Sequence, residues 1–114
     1  MKLFPAIPQD IREIVTRRDD FTCQRERCFN RTTEIAHRIA KTRANVKYIK
    51  RLVFEIYGAE VNEKWVIFNV IHHPKNLILA CQKHNSGFNI GNRPEQVKEL
   101  VRQILDSEIP RMSA

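Results

Sequence analysis

The chain has 114 residues, 42% of them hydrophobic, with 20 Lys and Arg against 13 Asp and Glu, a net charge of +7 and an isoelectric point near 9.7. That length predicts a single domain, residues 1–114, with a core small enough to gain from a bound metal. No apolar run reaches the span of a bilayer, and MKLFPAIPQD lacks the apolar centre and cleavage site of a secretory signal, so the expected setting is the reducing cytoplasm.

In chain order, Ile7, Ile11, Ile14 and Val15 fall at helical spacing and predict an amphipathic helix over 8–18, with Arg12, Arg17 and Arg18 on its polar side. DDFTCQRERCFN reads as a turn-rich knuckle. In TTEIAHRI, Ile35, His37 and Ile39 alternate with Glu34, Ala36 and Arg38, a period of two that argues for a strand. Val46, Ile49, Val53, Ile56 and Tyr57 predict a middle helix over 43–57, and Gly58 is placed to end it. WVIFNVI, 65–71, is a short apolar run with the character of a strand, and Pro74 pushes His73 towards an extended or turn conformation. NLILAC predicts another short strand and HNSGFN a turn or short helix. Asn92 with Glu95 resembles a capping box opening a last helix, whose stripe is Val97, Leu100, Val101, Ile104 and Leu105.

Three cysteines cannot pair off evenly, which favours metal ligation or free thiols over a disulfide framework. Cys23 and Cys28 sit on one knuckle, Cys81 and His84 on another. Each pair can share a tight turn, and together they supply the four soft ligands of a closed tetrahedral zinc site that would clamp the long segment between them. The plainer reading is three ordinary buried thiols and a surface imidazole.

The segments AHRI at 36–39, HPKNL at 73–77 and CQKHN at 81–85 resemble, in order and spacing, the three motif segments of the HNH endonucleases, the ββα-metal nucleases. RRDDFTCQRERC resembles the family's lead-in, in which an Arg-Asp pair precedes the first zinc knuckle, and the resemblance covers roughly residues 11–92. It implies an α+β fold: a small ββα-metal core with a structural zinc, flanked by N-terminal, middle and C-terminal helices. It also implies DNA as the partner, and phosphodiester hydrolysis assisted by a divalent ion, Mg2+ or Mn2+, besides the structural Zn2+.

Carried over position by position, His37 matches the general base that takes a proton from water, and Asn76 matches the middle residue that supports the hairpin and orients that base. Asn85 falls where His or Asn ligates the catalytic ion, and His84 replaces the usual fourth cysteine of the zinc site. Ala36 departs from the pattern, because an acidic metal ligand often stands there. The second ligand is then open, with His72, His73 and Glu34 the nearest candidates. Simpler roles compete: a hydrogen-bonded strand histidine for His37, turn chemistry for Asn76, a helix cap for Asn85 and an exposed turn for His72 and His73.

Arg38, Lys41, Arg43, Lys47, Lys50 and Arg51 gather on and before the middle helix, with Arg12, Arg17, Arg18 and Arg93 placed to extend that surface. A charge run is usually a solvated face, but at +7 it can follow a phosphate backbone. The leading expectation is a metal-dependent DNA endonuclease. A zinc-stabilised DNA-binding module on the same scaffold, with weak chemistry, is the alternative, and a protein-interaction domain is the third. Monomer and homodimer both remain open: one centre nicks, and two are needed to cut both strands in one event.

Overall fold

The computed structural model of the chain describes residues 4–91 and 93–113, with side chains described through residue 107. Asn92, the first member of the predicted capping box, lies outside the described residues. The elements run α1 (Gln9–Arg18), β1 (Ile35–His37), α2 (Arg43–Tyr57), α3 (Glu63–Val66), β2 (Leu77–Leu79) and α4 (Pro94–Ser113). Among the described residues, the architecture is a small α+β arrangement of four α-helices and a two-stranded antiparallel sheet.

The helical side is built on hydrocarbon. Thr42 caps α2 by accepting a hydrogen bond from the Asn45 amide, and Gly58 ends it in the left-handed region at φ 67°. The buried face of α2 (Val46, Ile49, Leu52, Val53) packs with Val66, Val70 and Ile71, with Ile39 and Ile90, and with the α4 stripe of Val97, Leu100, Val101, Ile104 and Leu105. The predicted middle and last helices are therefore both present, with the apolar faces expected of them.

The run 65–71 is helical, not a strand. The side chain of Asn62 caps α3 by accepting from the Trp65 amide at 2.7 Å, and α3 passes directly into a π-helical turn, Ile67–Ile71. Val66, Val70 and Ile71 all face the core, whereas in a strand the adjacent Val70 and Ile71 would point to opposite faces. The strands are also shorter than the alternation suggested. β1 keeps only three residues of TTEIAHRI, and β2 three of NLILAC.

The hairpin pairs Ile35 with Leu79, Ala36 with Ile78 and His37 with Leu77, so its two faces are distinct. Ile35, Leu77 and Leu79 pack with Ile7, Ile11 and Val15 beneath α1. Ile14, expected in that stripe, is 51% exposed, because α1 turns only one narrow edge to the sheet. The opposite face carries Ala36 and Ile78 into a cluster with the cysteines, Ala80 and Phe88.

Arg18 does not extend the basic surface. Its guanidinium holds the Asp19 carboxylate at 2.8 and 3.0 Å and donates to the Pro74 and Leu77 carbonyls at 2.8 and 2.6 Å. Asp19, nearly buried, also accepts from the Leu79 amide at 2.9 Å. The adjacent Arg-Asp pair thus fastens the end of α1 to β2.

Candidate functional site

Two structures stand on opposite faces of the hairpin, and the first is the cysteine–histidine cluster. The backbone delivers its ligands in two loops. Cys23 N–H donates to the Asn30 carbonyl, Cys28 N–H to Arg25, and Arg27 adopts φ 65° to turn the first knuckle. The His84 amide donates to the Cys81 carbonyl at 2.9 Å, closing the second knuckle. A bridge from the Gln24 amide to the Leu79 carbonyl, also 2.9 Å, sets the first loop beside the second.

Cys23, Cys28, Cys81 and His84 then offer four ligand atoms that all lie within 4.8 Å of one another, close enough to hold one metal ion. Cys28 Sγ to Cys81 Sγ is 4.0 Å, Cys23 Sγ to His84 Nδ1 3.6 Å and Cys81 Sγ to His84 Nδ1 3.4 Å. A tetrahedron with zinc–ligand bonds of about 2.0–2.3 Å has edges of about 3.6–3.8 Å, so the donor set and its spacing fit zinc. No disulfide links these thiols. The Asn30 side-chain amide donates to Cys81 Sγ at 3.6 Å and is the main reason that thiol is pulled down to about 6, a value that makes the thiolate ligand available at neutral pH.

On the other side stands a pair of imidazoles. His37 Nε2 lies 3.1 Å from His72 Nδ1, with ring centroids 5.2 Å apart, and His72 Nε2 lies 2.9 Å from the Pro5 carbonyl oxygen. His72 is fully buried, not in the exposed turn expected from the sequence. The π turn accounts for this: the His72 amide donates to the Ile67 carbonyl at 2.8 Å, five residues back, and the extra residue rotates His72 inward under Pro5. His37 is lowered to about 4, first by burial and then by the charges of His72, Lys41 and Arg12. His72 is lowered chiefly by burial, which outweighs the opposing hydrogen bond to Pro5. Both rings are therefore neutral at physiological pH.

The other singled-out residues take varied places. Asn76 is fully buried: Oδ1 accepts from the Ile39 amide at 2.8 Å, and Nδ2 donates to the Ile39 and Ile71 carbonyls at 3.1 and 2.8 Å. It ties the end of β1 to the π turn, so all three of its bonds go to backbone. His73 caps the 3₁₀ turn Pro74–Asn76 by accepting from the Lys75 amide at 3.1 Å. Asn85 opens the 3₁₀ turn Asn85–Phe88, which packs against β1 with Phe88 on the Ala36 face. His37 and His72 are thus brought together at hydrogen-bonding distance, whereas the Asn85 turn meets the hairpin from the cysteine side.

Ala36 is buried among apolar and sulfur atoms, and Glu34 is exposed. Among the described residues, the one cluster of three or more His, Cys, Asp or Glu groups able to hold a metal is the Cys3His set. Lys41, Arg43, Lys47, Lys50 and Arg51 are all exposed, and Arg43, Lys47 and Lys50 share one face of α2. Arg38 instead lines a depression of about 270 Å³ with Glu95 and Glu99 of α4. Arg12 and Arg17 line a cavity of about 490 Å³ on the outer side of α1. No helix among the described residues is long and apolar enough to cross a membrane.

Compared with protein-family models, curated proteins and solved structures, the chain has no match.

Proposed function

We propose that the chain is a zinc-stabilised endonuclease that hydrolyses phosphodiester bonds in DNA, with His37 as the general base. The observation that supports this best is the His37–His72–Pro5 chain of hydrogen bonds: a neutral imidazole, lowered to about 4, held beside the positive charges of Arg12 and Lys41. A base must be unprotonated to act, and this pair is held neutral and in place.

In the proposed reaction a water oxygen forms a bond to phosphorus, its proton passes to His37, and the bond to the leaving oxygen breaks. The leaving oxygen takes a proton from solvent. Arg12 and Lys41, whose charges act on both imidazoles, offset the negative charge of the phosphate. The exposed stripe of Arg43, Lys47 and Lys50 supplies sequence-independent contacts to the neighbouring backbone. A zinc held by Cys23, Cys28, Cys81 and His84 would tie the two knuckles together, and with four protein ligands it would serve structure and not the reaction. Mg2+ or Mn2+, which the HNH resemblance adds, would have Asn85 as its one matched protein ligand, on a turn that meets the sheet from the cysteine side and not from the His37 side.

The test is a plasmid-nicking assay with Mg2+ or Mn2+, comparing the wild type with His37→Ala at equal zinc content. The expected result is a loss of about 10²–10⁴-fold in rate, the usual contribution of a general base. Cutting that persists without His37, or no cutting by the wild type, overturns the reading. Ala36 favours the second reading, a DNA-binding zinc module on this scaffold, because it removes the carboxylate an efficient metal-assisted centre would use. That module would bind DNA with an affinity falling about 0.9 log units per log unit of salt for each neutralised phosphate, yet cut nothing.

A further inference from the structure

The hydrogen-bond chain carries more than burial. A backbone carbonyl can only accept, so the 2.9 Å contact between His72 Nε2 and the Pro5 oxygen requires the proton of His72 to sit on Nε2. A neutral ring with Nε2–H has its lone pair on Nδ1, and that atom faces His37 Nε2 at 3.1 Å. The His37 nitrogen must therefore be the donor. It follows that His37 also carries its proton on Nε2 and keeps its own lone pair on Nδ1.

The geometry points to His72 as the positioning residue of the site: it fixes the tautomer of His37 by relaying the polarity of the Pro5 carbonyl through two rings, leaving His37 Nδ1 as the proton acceptor. The role rests on the endonuclease reading for its catalytic meaning, but the tautomer itself does not. Asn76, the residue that the HNH resemblance assigns to orienting the base, has its side-chain bonds committed to Ile39 and Ile71. The orienting task falls instead to a histidine placed by the π turn.

The surroundings of the pair support a fixed arrangement. His72 is fully buried, with the Phe68 ring set edge-on at 6.1 Å, so its ring has no room to flip without breaking both bonds. The charged groups acting on the two rings are Arg12 from α1 and Lys41 from the segment before α2, both cationic, and both disfavour a second proton on either imidazole. A doubly protonated His72 would turn Nδ1 into a donor and break the link to His37. The link therefore needs His72 neutral.

The test uses ¹⁵N-labelled, zinc-loaded full chain and long-range ¹H–¹⁵N correlation spectra, which report the protonated nitrogen of each ring directly. The expected result at pH 7.5 is Nε2–H for both His37 and His72, with rings assigned through His37→Ala and His73→Ala. His72→Phe, checked for zinc content and an intact amide spectrum, should release His37 into a mixture of tautomers and slow nicking by at least tenfold, towards the 10²–10⁴ limit for a lost base. His72→Asn, which keeps an acceptor at the δ position, should restore most of the Nε2–H form and part of the rate.

Finding His37 with its proton on Nδ1 in the wild type would overturn the proposal, even if no variant folds. So would an unchanged His37 tautomer in folded His72→Phe. If the tautomers are as stated and no DNA is cut, the endonuclease reading fails while the relay stands.

Discussion

The part of the chain around α2, α3 and α4 and the part around the hairpin are held together by different forces. In the helical part, Val46, Ile49, Leu52, Val53, Val66, Val70, Val101 and Ile104 are buried against one another, and burial of such side chains contributes about 1.5–3 kcal/mol each. The hairpin has three residues per strand and, among the described residues, a buried cluster of just Ile7, Val15, Leu77 and Leu79 on its α1 face. It is fastened by the Cys3His cluster, the Arg18–Asp19 clamp and the Asn76 side chain. The comparison teaches where each kind of change should act: the helical part tolerates loss of polar contacts, and the hairpin part depends on them.

The largest expected effect comes from the metal. Elemental analysis should find about one zinc per chain. Chelation, or Cys81→Ser, should release it and melt the hairpin and knuckles, because binding energies of about 10–16 kcal/mol are typical for structural zinc in small domains. Hydrogen exchange would read this as lost protection in β1, β2 and the segment 19–32, with α2 and α4 the last to open. Full stability retained in Cys81→Ser would break the comparison at its main point.

Asn76→Ala should follow, at about 3–4 kcal/mol by chemical denaturation. It removes three buried hydrogen bonds and leaves the backbone groups of Ile39 and Ile71 unpaired. Asn76→Asp is the sharper variant, because it turns the donor facing two carbonyls into an acceptor. If either lowers nicking in proportion to the folded fraction alone, the residue is structural, as its three bonds indicate.

Asp19→Ala should cost less, about 2–3 kcal/mol. The Arg18 side chain is 40% exposed, so loss of the ion pair itself is screened, and most of the cost comes from leaving the buried Leu79 amide without its acceptor. Asp19→Asn separates the two, since it keeps an oxygen for Leu79 while removing the charge.

These contacts also mark the limit of what the sequence could disclose. α1, α2, α4 and the two knuckles are written in local spacing, and Gly58 needed no tertiary information to be read as a helix end. WVIFNVI failed because a short apolar run has the same composition in a buried strand and a buried helix turn. The signal that separates them was present in Asn62, whose side chain caps the Trp65 amide three residues on. His72 had no such signal. Its inward turn depends on one extra residue in the helix at 67–71 and on Pro5, far away in the chain, supplying the carbonyl. Arg18 counted as surface charge for the same reason: the carbonyls it holds, Pro74 and Leu77, lie 56 and 59 residues away. His37 could be singled out in the sequence, but the partner of its ring could not.

The smallest effect should come from Gly58→Ala at the end of α2, in the helical part. Gly58 sits at φ 67°, and a Cβ added there would meet nothing within 4 Å. The cost is then backbone conformation alone, about 1 kcal/mol for a non-glycine residue in the left-handed region, and Gly58→Asn should recover part of it. Urea denaturation checks both variants: the midpoint should fall with the slope unchanged, since neither state gains or loses buried surface. Zinc content should not move, because the helix that Gly58 ends packs in one hydrophobic cluster and the knuckles sit in a separate one. A loss well above 2 kcal/mol, or zinc released by a single methyl group at Gly58, would mean that the two parts unfold as one and that the polar fastenings and the apolar core share a single cooperative unit.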